Sequence, residues 1–490
     1  MALPTAIYGA AQVRELDDHA IQTLGIPGYT LMKRAGEAAL RVLRSRWPTA
    51  YRIAIVCGGG NNGGDGYVLA RFARAAGLTV SVFAVTPPEA LRGDAQRAAE
   101  DFQASGGQPQ PFAAEALKSH DVIVDALLGI GARGALREDM VAVIEAINAA
   151  RRPVFALDLP SGLCADSGLP LGAAVRAECT LTFVGLKSGL FLGEGPEYIG
   201  SLQFDDLEIA SPPGLVEPRL LRASEDDIAR ALPRRRRASH KGSFGHVLVV
   251  GGGPGMPGAV RLAGESALRV GAGLVTVAVA PENVASISAG CPELIVVGLD
   301  VSQFGALLER ADVVAVGPGL GRSAWAWEVL GVTVASGKPL VVDADALNIL
   351  AEDRSLRAAN WILTPHPGEA ARLLGVSTDA VQADRLGALR KLCKAFGGTI
   401  VLKGAGTLVG RDGETPQLCE RGNPGMASAG MGDVLTGVIA GMLAQLGDPL
   451  LAARIGVLVH ALAGDSAARG GERGLIARDL IGELRTWVNL

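Results

Sequence analysis

The sequence predicts an α/β protein of two domains, each built on a parallel sheet flanked by helices. Three observations carry that prediction. Short apolar runs rich in Val and Ile alternate with stretches of helical length and period. Glycines cluster directly after those runs, where α/β nucleotide-binding folds need tight turns. The rhythm is played twice, with a break at Ala210-Ser211-Pro212-Pro213-Gly214. At 490 residues the chain is also too long for one ordinary core. The expected division is residues 1–215 and 225–490, with a polar and basic connector up to Lys241.

The elements follow in order. Residues 14–46 read as helices, with apolar positions at Leu31, Met32, Ala35, Leu40 and Leu43. A strand over 52–57 runs into a glycine-rich loop at 58–66 and a helix over 67–76. Strand 79–85, helix 93–105, strand 121–127, helix 140–149 and strand 153–159 continue the pattern. Such spacing implies right-handed crossovers between parallel strands. The second rhythm has strand 246–250, helix 259–270 and strands 274–279, 313–316, 340–343, 361–364 and 399–403, then a long helical C-terminus from Asp433.

Composition narrows the function. A net charge of −4 offers no electrostatic footprint for nucleic acid or a membrane surface. The short basic run from Arg234 to Arg237 reads as a solvated edge of the connector. Six scattered cysteines without a CxxC pair argue against zinc and for thiols held reduced in cores. No basic-then-apolar leader is visible, and no stretch of about 18 apolar residues is expected to span a membrane. The cytoplasm is the expected location.

In the first half, the 58–66 loop exposes backbone N–H groups to an anion, with Asn61, Asn62 and Asp65 adding polar contacts. It is neither a dinucleotide fingerprint nor a Walker loop, since no Lys-Ser/Thr ends it. Asp125 and Asp158 end two further strands. In an open parallel sheet the carboxyl ends of strands line one crevice, so these loops should meet there. Hard oxygens from Asn62, Asp125 and Ser161 could hold a cation, monovalent or divalent. Each Asp taken alone could equally be a turn or cap residue.

Together, Asn61-Asn62-Gly63-Gly64-Asp65-Gly66, Asp125 followed by Gly129-Ile130-Gly131, and Asp158-Leu159-Pro160-Ser161-Gly162 resemble the YjeF N-terminal domain family, epimerases of hydrated NADH and NADPH. The resemblance covers roughly residues 10–210. It implies a Rossmann-like three-layer sandwich and a potassium ion on Asn62, Asp125 and Ser161. It implies substrate contacts from Asn61, Asn62, Gly63, Gly64 and Asp65, from Gly129, Ile130, Gly131, Ala132, Arg133, Gly134 and Ala135, and from Asp158. Asp158 is the expected acid–base residue.

In the second half, glycines run into one carboxylate at Gly430-Met431-Gly432-Asp433, and an apolar helical pattern follows. A helix N-terminus with free N–H groups suits a phosphate. An Asp there is suited to take a proton from a hydroxyl attacking a phosphoryl group. The bland alternative is an N-cap Asp on a glycine-rich turn. Gly317-Pro318-Gly319-Leu320-Gly321, Asp343-Ala344-Asp345, Thr364-Pro365-His366-Pro367-Gly368-Glu369 and Lys403-Gly404-Ala405-Gly406-Thr407 all follow strands, so they should share one sheet edge. His366 between two prolines is either structural or a substrate contact.

This set resembles the ribokinase-like superfamily and, more narrowly, its ADP-dependent NAD(P)H-hydrate dehydratases, over about residues 225–488. The Lys241-Gly242-Ser243-Phe244-Gly245-His246, Met256-Pro257-Gly258-Ala259 and Gly271-Ala272-Gly273 segments strengthen the narrower match. The resemblance implies a ribokinase-like three-layer sandwich and ADP as phosphoryl donor with Mg²⁺. Nucleotide would lie on Lys403, Gly404, Ala405, Gly406, Thr407 and Gly432. The hydrates NADHX or NADPHX would contact Ala259, Gly319, His366 and Asp433, with Asp433 as the base. Both halves in one chain resemble the bifunctional NAD(P)H-hydrate repair enzymes, whose members are homo-oligomers. Two other readings stay open: an ATP-dependent vitamin-precursor type kinase, and an N-terminal half that binds without catalysing.

Overall fold

The computed structural model describes residues 3–209, 214–353 and 355–490. Two compact units result, one up to Leu220 and one from Leu221. The expected break at 210–214 falls almost wholly on residues outside the described ones.

In the N-terminal unit a seven-stranded, all-parallel sheet has the spatial order Gln110–Pro111, Thr79–Ala84, Arg52–Cys57, Val122–Ala126, Val154–Leu157, Cys179–Phe183, Ser201–Asp205. The interiors of Arg52–Cys57 and Val154–Leu157 are wholly apolar because both faces are covered. Ile53, Ile55, Val122 and Val124 face a cluster that includes helices Gly28–Arg46 and Asn61–Ala75. Ala54, Val56 and Ile123 face the opposite layer, with helix Glu138–Ala149. The chain goes outward from Arg52–Cys57 to Thr79–Ala84 and returns on the other side at Val122–Ala126. The order therefore reverses between those two strands, which is where such sheets open a crevice.

The sequence reading of 58–66 as one loop is corrected here. The helix begins at Asn61, so Asn61 to Gly66 form its first turns. None of the glycines at 58–66 has a positive φ. Gly58, Gly63 and Gly66 are needed for close packing instead. A Cβ on Gly63 would lie 2.1 Å from the Gly58 carbonyl oxygen, and one on Gly66 would lie 2.6 Å from the Ala126 Cβ.

In the C-terminal unit the strands lie in the order Ile295–Gly298, Leu274–Val279, His246–Val250, Val313–Val316, Leu340–Val342, Trp361–Leu363, Thr399–Leu402, Thr407–Arg411, Gln417–Cys419, Leu220–Arg222. Pairing is parallel up to Thr399–Leu402, and Thr407–Arg411 then returns antiparallel. This hairpin was not foreseen; it makes the Lys403 to Gly406 segment a turn. The order reverses between His246–Val250 and Val313–Val316.

Helices Pro257–Arg269 and Met431–Leu446 pack side by side on one face. A Cβ on Gly437 would lie 1.9 Å from the Ala263 carbonyl oxygen, and one on Gly441 would lie 2.9 Å from the Ala267 carbonyl oxygen. The contacts advance together along both chains, so the two helices run parallel. Helix Pro449–Gly470 corrects the expectation about apolar length: by length and composition it could cross a membrane. Its most apolar window is 78% buried inside the unit, as a core helix would be. Among the described residues all six cysteines are free, and every one but Cys164 is buried. In the basic run, Arg235 is docked rather than merely solvated: its guanidinium lies over the Phe244 ring and donates to the Gly271 carbonyl at 2.6 Å.

Candidate active sites

The N-terminal site lies at the point where the strand order reverses. Asp125 ends Val122–Ala126 and is fully buried. Its Oδ1 accepts the Ser161 hydroxyl at 2.6 Å, and its Oδ2 accepts the Ser161 amide at 2.8 Å. The Ser161 hydroxyl oxygen accepts the Leu128 amide at 2.8 Å, while Asn62 Nδ2 donates to the Leu128 carbonyl at 2.9 Å. Three loops are thus tied through one backbone residue. Burial pushes the Asp125 carboxyl up to about 6 against the hydrogen bonds from Ser161 and Leu127. The Asn62 Oδ1 is buried with no hydrogen-bond partner.

Asp158 follows Val154–Leu157 with φ of 65°, a left-handed conformation that a residue with a Cβ rarely adopts. Its carboxylate receives the ammonium of the buried Lys187. Asp17 and Asp65 lie in the same charged cluster. Burial raises Asp17 to about 6 and Asp65 well above the ordinary range; Asp158 adds to both shifts and Lys187 opposes them. Sequence reasoning missed Lys187 and Asp17. The Gly129 to Ala135 segment is an irregular loop, mostly exposed at Gly131, Arg133, Gly134 and Ala135. It is held by Arg14, which donates to the Ile130 carbonyl at 2.9 Å. Asn61 is exposed at the helix start.

The C-terminal site gathers the ends of three strands and one helix. Asp343, after Leu340–Val342, accepts Lys403 Nζ at 2.7 Å on Oδ1 and the Thr436 hydroxyl at 2.6 Å on Oδ2. Burial alone would raise Asp343; the Lys403 charge and these hydrogen bonds outweigh it and hold the carboxyl below its usual range. Glu369 lies 3.8 Å from Lys403 and is raised by burial to about 7. Gly432 leaves room for this pair: a Cβ there would sit 3.4 Å from Lys403 Nζ. Asp433 stands in the first turn of Met431–Leu446, raised to about 6 by burial and by Asp343, with Lys403 opposing.

His366 caps helix Pro367–Leu374. Its Nδ1 accepts the Gly368 amide at 3.0 Å, and its own amide donates to Glu369 at 2.8 Å. The ring is half-exposed, and its Nε2 lies 3.5 Å from a Glu369 carboxylate oxygen. Burial, then the charges of Lys403 and Arg372, lower its pKa, with Asp343 opposing. Ala259 and Gly319 meet: a Cβ on Gly319 would lie 3.4 Å from the Ala259 Cβ. Because the two helices run parallel, Ala259, one turn before Ala263, lies at the same end as Asp433, one turn before Gly437. Lys403, Gly404, Ala405 and Gly406 form the hairpin turn, and Thr407 begins the returning strand. Buried Arg385 supports it from behind, donating to the carbonyls of Leu402, Lys403 and Gly406 at 3.2–3.3 Å. Asp343 and Glu369 stood inside the quoted motifs but had no role assigned from sequence, and Thr436 lies one turn beyond the Gly430–Asp433 motif.

The family model of the NAD(P)H-hydrate dehydratases matches residues 247–485, and that of the YjeF-related protein N-terminus matches residues 28–189. The bifunctional NAD(P)H-hydrate repair enzyme Nnr of Coxiella burnetii is 47% identical over 99% of this chain and 100% of its own length. This chain belongs to the bifunctional NAD(P)H-hydrate repair enzymes. The Escherichia coli K12 relative of the same name is 43% identical over 100% of this chain and 95% of its own. Among solved structures, a ribokinase-like superfamily protein from Enterococcus faecalis V583 is 32% identical with a TM-score of 0.51, covering 55% of this chain and 94% of that one. The ADP/ATP-dependent NAD(P)H-hydrate dehydratase of Bacillus subtilis, co-crystallised with ATP/Mg²⁺, is 29% identical with a TM-score of 0.50, covering 54% of this chain and 96% of that one. The family thus accounts for both sites: a nucleotide-dependent dehydratase on a ribokinase-like fold, preceded by an epimerase domain.

Proposed function

We propose that the N-terminal unit interconverts the R and S forms of hydrated NADH and NADPH, with Asp158 as acid–base residue. The C-terminal unit then dehydrates the S form at the expense of ADP, releasing AMP and phosphate. The observation that carries this reading is Asp433 in the first helical turn, beside Gly432 and over the Lys403–Asp343 pair. A base, free helix amides and one buried cation meet there, which is what phosphoryl transfer to a hydroxyl needs.

The chemistry follows from leaving groups. Hydroxide is poor, since water has a pKa of about 15.7. A phosphate monoester is better, with a second pKa of about 6. Asp433 takes the proton from the ring hydroxyl as its oxygen attacks the terminal phosphoryl group of ADP, and AMP departs. The ring C–O bond then breaks with its electron pair on phosphate. A proton leaves the neighbouring ring carbon and the double bond returns. Ala259, Gly319 and His366 would hold the hydrate; Lys403, Gly404, Ala405, Gly406, Thr407 and Gly432 would hold the nucleotide. Mg²⁺ would neutralise the phosphates.

In the N-terminal unit, Asn62, Asp125 and Ser161 would hold potassium. The oxygen donors and the unpartnered Asn62 Oδ1 fit a hard monovalent cation, although among the described residues no group of three or more His, Cys, Asp or Glu side chains could hold a metal. A bound potassium ion would neutralise the Asp125 carboxylate. Asn61 to Asp65 and Gly129 to Ala135 would flank the substrate. Buried, free thiols support a reducing location such as the cytoplasm, and assembly as a homo-oligomer accompanies this reading.

The test is absorbance at 340 nm on mixed R and S NADHX with Mg²⁺, K⁺ and either ADP or ATP. Full recovery of reduced nicotinamide with ADP is expected. Recovery that stops at the S fraction would remove the epimerase, and recovery with ATP alone would remove the ADP assignment.

A further inference from the structure

Lys187, in strand Leu186–Lys187, is 1% exposed. An ammonium has three N–H bonds, and here three acceptors surround it. They are Oδ1 of Asp158, the Thr182 hydroxyl at 3.0 Å and the Phe183 carbonyl at 2.8 Å. No N–H is left over for a substrate. Whatever Lys187 does for the reaction, it does through Asp158.

The two oxygens of Asp158 are not equivalent. Oδ1 receives Lys187 and, at 3.4 Å, the Phe183 amide. Among the described residues Oδ2 makes no hydrogen bond. It faces the Gly129 loop, and a Cβ added to Gly129 would lie 3.7 Å from it. The carboxylate is therefore clamped on one side and open on the other. The backbone there is fixed as well: φ is 65° and the Asp158 amide donates to the Leu181 carbonyl at 2.7 Å. Two further carboxylates, Asp17 and Asp65, compete for the same ammonium, and Asp18 acts on Asp17. Among the described residues, though, the ammonium makes its only carboxylate hydrogen bond to Asp158.

We propose that Lys187 is the positioning residue of the N-terminal site: it engages Oδ1 of Asp158 and leaves Oδ2 as the oxygen that exchanges protons with the substrate. This rests on the acid–base role assigned to Asp158 above.

The test uses the full chain and follows conversion of R-NADHX to S-NADHX by chromatography. Dehydration of S-NADHX serves as an internal check on folding. Lys187→Met should lower kcat for epimerisation by about 10-fold or more, because a small misplacement of a reacting group is costly. KM should hold within about twofold, since no substrate contact is lost. With the cation gone and Asp17, Asp65 and Asp18 still present, the acid limb of the kcat profile should move to higher pH. Lys187→Arg should restore much of the rate. Wild-type kcat and pH profile in Lys187→Met would overturn the proposal. So would a raised KM at unchanged kcat, which would mean direct substrate contact. Wild-type epimerisation in Asp158→Asn would instead overturn the assignment of Asp158. Should Lys187→Met fail to fold, Thr182→Val removes one acceptor and keeps the charge. It should lower kcat about threefold, in the range of one lost hydrogen bond, and an unchanged rate and profile there would also overturn the proposal.

Discussion

The buried Asp343 and the part-buried Lys403 form an ion pair, 2.7 Å apart, across strands that are not neighbours. Trp361–Leu363 lies between them in the sheet. The pair therefore bridges the strand that carries His366 and Glu369, and it fixes the floor on which Gly432 and Asp433 sit.

Breaking that pair should be expensive. Lys403→Met leaves the Asp343 charge buried and unpaired, a change expected to destabilise the C-terminal unit by about 3–5 kcal/mol. The double variant with Asp343→Asn should recover part of the loss. Urea denaturation followed by tryptophan fluorescence measures both, and equal stability of the single and double variants would contradict the account.

Asp433→Asn removes the proposed base without removing volume. Dehydration should slow by about 10²–10⁴-fold, the usual worth of a positioned general base. The nucleotide KM should change little and epimerisation should be untouched. Retained dehydration with lost epimerisation would reverse the assignment of the two sites.

The pH dependence has a definite sign. Asp433 is raised to about 6, chiefly by burial and then by Asp343, with Lys403 opposing and Asp345 adding to the rise. A base must be ionised to work. The kcat/KM for dehydration should therefore fall as pH drops through about 6 and stop rising once Asp433 is fully ionised. Glu369, raised to about 7, titrates next to the same ammonium and should add a second bend near neutrality if its charge matters. A profile of kcat/KM against pH for the free enzyme reads both.

Two glycines test the packing argument. Gly437→Ala puts a methyl 1.9 Å from the Ala263 carbonyl oxygen, so the unit should lose about 1–3 kcal/mol or more. Gly482 lies in helix Ala477–Trp487 with open space around its Cβ position. Gly482→Ala should stabilise by about 0.5–1 kcal/mol. Thermal unfolding of the two variants should shift in opposite directions.

Much of this was legible in the sequence. The strands at 52–57, 246–250, 274–279 and 313–316 are bounded where the Val and Ile runs meet glycine or a carboxylate, and the structure places them there. Asp125, Ser161 and Asn62 were expected together because strand ends share an edge, and hydrogen bonds join them. The turn at 58–66 was misread because glycine serves two purposes. It permits unusual φ, and it also permits close approach, as at Gly63 and Gly66. Lys187 gave no signal, since a single Lys in Gly185-Leu186-Lys187-Ser188-Gly189 looks like any exposed Lys. Only folding shows that Thr182, Phe183 and Asp158 enclose it. Asp17 was hidden by the amphipathic pattern of Ala10–Gln22, in which a half-buried carboxylate resembles a solvated one. His366 was weighed as structural or substrate-binding; it caps a helix with one nitrogen and faces Glu369 with the other, on a ring that stays half-exposed.

Helix Pro449–Gly470 has a consequence for how the chain is made. It emerges from the ribosome before helix Ala477–Trp487, whose Ala477, Leu480, Ile481 and Leu484 are buried and whose Trp487 indole donates to Ser466 at 2.9 Å. Until that later helix arrives, the side of the apolar rod turned away from helix Met431–Leu446 and the sheet stays uncovered, the kind of surface that chaperones hold and that aggregates when they do not. Translation that stops before Ala477 should therefore yield insoluble product, so the last turns of the C-terminal unit act as a completeness check on synthesis although they contribute none of the site residues assigned here.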